Sequence, residues 1–202
     1  QRDGGLVYVS AGAGQRAPVL VMLHGVNAKS EMHPWFGGTA TDLREVIDDL
    51  VDQDLVEPLV VIAPTQTRSA NSGALLWTEF DADGLIDEAE RVLPPGVSVD
   101  RQRMVLAGHS GAGCNVRGGL LHRRWGQSSR AIAKPLGVVA LDTCLDQSTA
   151  HGLLVTAAGA PLFVYWQPFL WPRDLDGARS VFSAYVAANP SMVVHTHRLG
   201  EP

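Results

Sequence analysis

The segment VLAGHSGAGCN, residues 105–115, places Ser110 among glycines and alanines directly after an apolar run. The run RMVLAGHS, residues 103–110, has the apolar character of a buried strand, and the small residues after Ser110 can begin a helix. A strand that turns tightly into a helix holds the residue at the turn in a strained backbone conformation, with its side chain exposed above the sheet. Ser110 is therefore the candidate nucleophile of this chain.

The positions two before and two after Ser110 hold small residues, Gly108 and Ala112. They would lie where the strand and the following helix pass closest, and a larger side chain at either position would collide with the other element. We therefore expect tight packing on both sides of the serine.

Strand-like and helix-like segments alternate along the chain. Most of the strand-like segments are apolar on both faces, which is typical of a parallel sheet covered by helices. They span 5–9, 17–25, 58–64, 103–110, 136–142, 161–166 and 192–197. Helical periodicity is found at 43–51, 85–93 and 175–185, with Asp42 and Asp174 as predicted N-caps. This order predicts a doubly wound α/β domain, whose ligands bind at the carboxyl ends of the strands. We interpret residues 10–17, SAGAGQRA, as a hairpin turn.

Composition narrows the class of protein. A chain of 202 residues that is 46% hydrophobic can bury one sizeable core, so we expect a single domain over residues 1–202. The net charge of -5 provides no basic surface for nucleic acid. The apolar runs are far shorter than the roughly 18 to 20 residues that a membrane-spanning helix needs. The sequence does not indicate an oligomeric state.

The string GHSGAG, residues 108–113, resembles the G-x-S-x-G nucleophile elbow of the α/β-hydrolase family, with Ala112 in place of the last glycine. In VLVMLHGVN, residues 19–27, His24 and Gly25 are similar to that family's oxyanion loop. The resemblance extends over residues 17–197. It implies a serine hydrolase, most simply a carboxylesterase without cofactor or metal. By the same resemblance, the backbone N–H groups of Val26 and Gly111 bind the oxyanion, each contributing about 3 kcal/mol.

The family's order of catalytic residues is serine, acid, histidine, so the acid is expected after Ser110. Asp142 ends the strand next to the predicted nucleophile strand and is the first choice, with Asp146 close behind it. The family more often takes its acid from the loop after the following strand, which makes Asp174 and Asp176 the alternatives. As a helix cap and a first-turn acid, these two also have structural interpretations.

For the base, the family uses a histidine after the last strand. His197 is the candidate and His195 the alternative, both on one face of that strand. The family normally continues with a loop and a closing helix, whereas this sequence stops at Pro202. A base beyond residue 202, and a domain without its C-terminal helix, are therefore also open.

Tryptophans near predicted strand ends, Trp77, Trp166 and Trp171, are candidates for lining a substrate cleft, and packing in the core is the alternative for each. An extended cleft would suit a bulky ester, either a small molecule or one attached to a polymer.

Cys114 and Cys144 follow Ser110 and Asp142 closely and lie near each other in the family's fold. They either form a disulfide that braces the nucleophile turn against the acid loop or stay as two buried thiols. A disulfide, together with a chain that starts at Gln1, favours a secreted or periplasmic protein, and a cytoplasmic location stays open.

Two other functions fit the same residues. A peptidase or amidase would use the same three catalytic groups on an amide bond. A non-catalytic relative would use the cleft for binding only.

Overall fold

The computed structural model describes residues 4–27, 35–36, 42–66, 77, 82–115, 118–121, 135–167 and 174–199. Strands are β1 Gly4–Val9, β2 Ala17–Leu23, β3 Val60–Thr65, β4 Val99–His109, β5 Gly137–Leu141, β6 Leu162–Trp166 and β7 Val194–Arg198. Helices are α1 Leu43–Asp52, α2 Ala82–Val92, α3 Gln147–Ala157 and α4 Leu175–Ala188, and 3₁₀ helices span Ser110–Gly113 and Gly119–Leu121.

The strands form one sheet in the order β1-β3-β2-β4-β5-β6-β7. All neighbours pair in parallel except β1 and β3, which are antiparallel. Every residue of β3 is buried, as expected for a strand covered on both faces. The predicted doubly wound, mainly parallel sheet is confirmed, and β4, which ends at the Ser110 turn, lies in its centre.

The hairpin interpretation of residues 10–17 is wrong. β1 pairs with β3, with Val7 opposite Ile62, so β3 lies between β1 and β2. The Ser10 side chain fixes this arrangement, because its Oγ accepts a hydrogen bond of 2.8 Å from the Leu59 N–H just before β3. A glycine-rich connection has the same composition in a hairpin and in a crossover, so the sequence could not separate the two.

Helices cover both faces of the sheet. Side chains of α2, α3 and α4, such as Ile86, Leu153 and Phe182, pack with Leu106 and Val138 on one face. Ile47 of α1 packs with residues of the opposite face, among them Met22, Val61 and Ala107. None of the helices in the described ranges has the length and apolarity to cross a membrane.

The helix α3 was not predicted from the sequence. α3 has little apolar periodicity, but a capping box begins it: the Asp146 carboxylate accepts from Thr149 N–H at 2.8 Å, and the Thr149 hydroxyl accepts from Asp146 N–H at 2.9 Å. Asp146 is thus a helix cap, which is a correction to its place among the candidate acids.

The helix predicted after Ser110 also differs. Within the described residues the chain makes the two short 3₁₀ helices, and residues 116–117 and 122–134 lie outside the described ranges. Gly119 has a φ of 54°, which interrupts regular α-helix at that point.

Candidate active site

Ser110 is the first residue after β4 and has a φ of 49°, in the left-handed region that a non-glycine residue rarely adopts. The residue as a whole is 9% exposed. Strain of this kind costs about 1–3 kcal/mol and persists only where the surroundings impose it. The backbone at Ser110 is therefore the sharp strand-to-helix turn that the sequence predicted.

Close packing beside Ser110 explains the small residues around it. A Cβ on Gly108 would lie 3.0–3.1 Å from two side-chain atoms of Leu120, in the second 3₁₀ helix. Ala112 is fully buried, so its methyl group is accommodated where the family motif has glycine. The close approach predicted at Gly108 is therefore present, with Leu120 as its neighbour.

The loop after β2 lies directly on the serine. A Cβ on Gly25 would be 2.7 Å from the Ser110 Cβ and 3.0 Å from the His109 carbonyl oxygen, so only glycine fits. The N–H groups of Val26 and Gly111 donate to no acceptor supplied by the described residues.

His24 holds this loop in place. Its Nε2 accepts a hydrogen bond of 2.9 Å from Gln66 N–H, which leaves the proton on Nδ1, and Nδ1 donates to the Gly25 carbonyl at 2.7 Å. Burial lowers the pKa of His24, which favours the neutral ring that this pair of bonds requires. His24 thereby fixes the peptide that precedes Val26.

Trp77 also holds the loop after β2 in place. Its indole N–H donates to the His24 carbonyl at 3.1 Å, and its side chain packs in the core. Trp77 is buried, so the structure places it as a support of the loop with little surface for a substrate. Trp171 lies outside the described residues.

Asp142 occupies on β5 the position that Ser110 occupies on β4. The last residues of the two strands, His109 and Leu141, are register partners, so Asp142 lies one strand spacing, about 5 Å, from Ser110 along the backbone. Asp142 is buried and accepts a hydrogen bond of 3.2 Å from Gln167 N–H, a partner that no sequence signal marks. A carboxylate is therefore held beside the serine.

A disulfide joins the two turns. Cys114 and Cys144 are bonded, with Cα atoms 4.9 Å apart, four residues after Ser110 and two after Asp142. Gly113 packs against Thr143 so closely that a Cβ there would overlap the threonine side chain. The nucleophile turn and the acid loop are therefore coupled by a covalent bond and by direct packing.

The alternative acids have structural environments. Asp174 is the N-cap of α4 and accepts from Gly177 N–H at 2.9 Å, as its interpretation as a cap predicts. The Asp176 side chain is 97% exposed in the first turn of α4. The structure brings neither to Ser110 by a hydrogen bond.

His195 and His197 lie on the exposed edge strand β7. The row His109, Leu141, Tyr165, His197 crosses the sheet, so His197 is three strands, about 14 Å, from the end of β4. His197 packs edge-on against Tyr165, and His195 stacks on Phe163. The structure does not bring either ring to Ser110.

Among the other described histidines, His109 is closest to the serine in sequence. Its ring packs edge-on against Trp35. Burial lowers the pKa of His109, and the negative charge of Asp142 acts in the opposite direction. No histidine of the described ranges hydrogen bonds to the Ser110 hydroxyl. Those ranges also contain no cluster of three or more metal-ligating side chains.

Trp166 ends β6 and is 7% exposed. Its ring lies beneath two guanidinium groups, those of Arg179 and Arg198. Sequence reasoning missed both arginines, because they are distant in the chain and only the packing of α4 on β6 and β7 brings them together.

The strand order, the strained Ser110 turn and the loop at Gly25 together define an α/β-hydrolase-type fold. Solved structures similar to this chain include esterase 2 from Thermogutta terrifontis, phosphonylated by cyclosarin, with 14% identity over 96% of this chain and 76% of that chain and a TM-score of 0.59.

A feruloyl esterase module from Clostridium thermocellum, complexed with sinapinate, is 13% identical over 96% of this chain and 80% of that chain, with a TM-score of 0.56. An S-formylglutathione hydrolase from Staphylococcus aureus is 13% identical over 98% of this chain and 92% of that chain, with a TM-score of 0.53. At such low identity the likeness is one of fold. No protein-family model and no curated protein matches the sequence.

Proposed function

We propose that this protein is a serine hydrolase that cleaves carboxylic esters through an acyl-enzyme on Ser110. The observation that carries the proposal is the backbone of Ser110: a φ of 49° at the end of a central strand, directly beneath a glycine that no other residue can replace. Backbone strain of this kind clusters at functional sites, and here it holds a hydroxyl near the amides of Val26 and Gly111, which donate to no acceptor within the described ranges.

In this scheme the Ser110 Oγ attacks the ester carbonyl while a base removes its proton. The N–H groups of Val26 and Gly111 stabilise the negative charge that develops on the carbonyl oxygen. The alcohol leaves with a proton returned by the base, and water then releases the acid from the serine by the reverse route. Asp142 is the acid that orients the base and stabilises its protonated form.

The base has to be assigned by experiment. His197 is the candidate from the sequence and His195 its alternative, but both lie three strands from the end of β4, so we expect either to act as the base only if the end of β7 moves to Ser110. A scan that replaces each of the seven histidines with alanine, read out as acylation rate, identifies the residue.

The fold neighbours suggest the substrate class, and the disulfide suggests the compartment. Neighbours that include a feruloyl esterase and a second esterase support an ester, either a small molecule or one linked to a polymer. The Cys114–Cys144 disulfide supports a secreted or periplasmic location, because such bonds persist in oxidising compartments.

A second candidate function is binding without catalysis. It is favoured by one observation: no histidine of the described residues hydrogen bonds to the Ser110 hydroxyl. The region around Ser110 would then bind an acyl compound without hydrolysing it.

Intact-protein mass after treatment with a fluorophosphonate probe distinguishes the esterase function from binding without catalysis. The esterase proposal expects one adduct per chain, absent in Ser110→Ala and retained in Ser180→Ala, an exposed serine on α4. A folded protein that takes up no probe supports the binding function instead. Matched ester and amide substrates then measure whether an amide bond is also cleaved.

A further inference from the structure

Gly113 and Thr143 contact each other close to the two proposed catalytic residues, Ser110 and Asp142. Gly113 lies three residues after Ser110, and Thr143 directly follows Asp142. The next residue after each of them is a cysteine of the disulfide. A Cβ on Gly113 would lie 2.8 Å from the Thr143 Cβ and would overlap the threonine methyl group. The contact thus stands between the disulfide and the catalytic pair.

The backbone of Asp142 is held in a strained conformation, with a φ of 49°. Such a conformation persists only where the surrounding structure imposes it. The Asp142 N–H donates to the Tyr165 carbonyl at 2.7 Å, and the carboxylate accepts from Gln167 N–H. These bonds tie Asp142 to β6, on the side away from Ser110. Beyond the last register partners of β4 and β5, Thr143 and the disulfide connect the acid loop with the serine turn.

The Thr143 side chain contributes shape to this contact. Thr143 is 2% exposed, and its Oγ1 has no hydrogen-bond partner within the described ranges. A buried hydroxyl without a partner lowers stability, whereas valine has the same branched shape without that cost. Replacement by valine therefore separates the shape of the side chain from its hydroxyl group.

The contact limits where the two turns can lie. Carbon atoms in ordinary contact are about 3.5–4.0 Å apart, so a methyl group on Gly113 would displace Thr143 by about 1 Å. The disulfide holds the next residue on each side, so the displacement falls on the residues before the contact, Asp142 and the serine turn. A misplacement of about 1 Å can lower a catalytic rate about 10²-fold.

We propose that Gly113 and Thr143 are positioning residues, whose contact sets the distance and direction of the Asp142 carboxylate relative to Ser110. The inference rests on the proposed esterase function. Both residues are buried, so they act through Ser110 and Asp142 and not on the substrate. Changes at the contact therefore alter kcat and leave KM near its wild-type value.

Hydrolysis of p-nitrophenyl butyrate tests the proposal. Gly113→Ala should lower kcat about 10²-fold, with KM close to wild type. The double variant Gly113→Ala, Thr143→Gly moves the side-chain carbon to the other side of the contact and should recover most of the loss. Thr143→Val keeps the shape of the contact, so it should retain kcat, with a Tm equal to or above that of the wild-type protein.

Ile86→Ala is the control for loss of stability alone. Ile86 is a buried core residue of α2, outside both turns, so its replacement should lower Tm and leave kcat unchanged. If Gly113→Ala does not fold, Thr143→Gly and Thr143→Val decide instead. Thr143→Gly removes the contact without adding an overlap, so its kcat should fall below that of Thr143→Val.

The possible failures are distinguishable. A kcat of Gly113→Ala equal to wild type, or equal kcat values for Thr143→Gly and Thr143→Val, would overturn the positioning role while the esterase function stands. A loss of kcat in Ile86→Ala as large as that in Gly113→Ala would overturn it too, because reduced stability would then account for both. A wild-type protein that neither cleaves the ester nor reacts with the fluorophosphonate probe overturns the esterase function, and the positioning role with it.

Discussion

Ser110 and Asp142 follow the register partners His109 and Leu141 on neighbouring parallel strands, and both have a φ of 49°. The hydrogen bonds of the sheet therefore fix the separation of the proposed nucleophile and the proposed acid. The Cys114–Cys144 disulfide repeats the connection a few residues further along both turns. Such double fixation is expected of groups whose relative position matters for chemistry.

Replacing Asp142 with asparagine tests its role as the acid. The amide oxygen of the new side chain would still accept the hydrogen bond from Gln167 N–H, but the side chain would have no charge to stabilise a protonated base. We expect kcat of the Asp142→Asn variant to fall about 10³-fold or more with little change in Tm.

Asp174→Asn is the matched control for Asp142→Asn. Asparagine caps a helix about as well as aspartate, so both kcat and stability should stay close to wild type. A large loss of kcat in Asp174→Asn, together with an active Asp142→Asn, would move the acid to α4.

Gly25→Ala tests the contact between the oxyanion loop and the serine. The new methyl group would meet the Ser110 Cβ and the His109 carbonyl, so the loop and the Val26 amide must shift. Loss of one oxyanion donor costs about 10²-fold or more in kcat.

Gly14→Ala provides the comparison, because a Cβ at Gly14 meets nothing within 4 Å. In steady-state ester hydrolysis, kcat of Gly25→Ala should therefore be lower than kcat of Gly14→Ala by the whole factor expected from the Gly25 contact. Equal rates would show that the loop after β2 takes no part in the reaction.

Reduction of the disulfide should lower the free energy of unfolding. The two cysteines are separated by 30 residues, and closing a loop of that size in the unfolded chain corresponds to about 3–4 kcal/mol. Urea unfolding of the oxidised protein and of the Cys114→Ser, Cys144→Ser double variant measures it. Thiol titration in denaturant gives the direct control, since two free thiols in the untreated protein would show that the bond does not form.

Much of the fold follows from local sequence, because apolar runs and helical periodicity are local properties. The turn at Ser110 could be predicted for the same reason, because the small residues Gly108 and Ala112 stand next to it in the sequence and reflect the limited space there. The position of β1 in the sheet depends on contacts between distant segments, and so does the contact of both Arg179 and Arg198 with the Trp166 ring. No local pattern encodes these, so they appear only in the structure.

Replacing His195 and His197 tests whether the end of β7 takes part in the reaction at Ser110. With β7 three strands from β4, we expect His195→Ala and His197→Ala to leave the rate of fluorophosphonate labelling at Ser110 within about threefold of wild type. A loss of labelling in His197→Ala alone, at unchanged Tm, would show that the end of β7 moves to the serine and that His197 is the base.

Stability should fall as the pH is lowered from about 7.5 to 5. Burial lowers the pKa of both His24 and His109 below the ordinary value of 6.5, so the unfolded chain binds more protons than the folded protein in this range. The contribution of the two neutral rings is therefore complete above about pH 6.5 and is lost as the pH falls toward their folded-state pKa values. The pKa of Asp100 is lowered from 3.8 by its hydrogen bond with Arg16, so that group acts only at still lower pH.

Urea midpoints at several pH values measure this dependence. His109→Phe keeps an aromatic ring against Trp35 and removes one titrating group, so its stability should change less with pH than that of the wild-type protein. A His109→Phe variant with the full wild-type slope would mean that His109 takes up its proton as readily in the folded protein as in the unfolded chain.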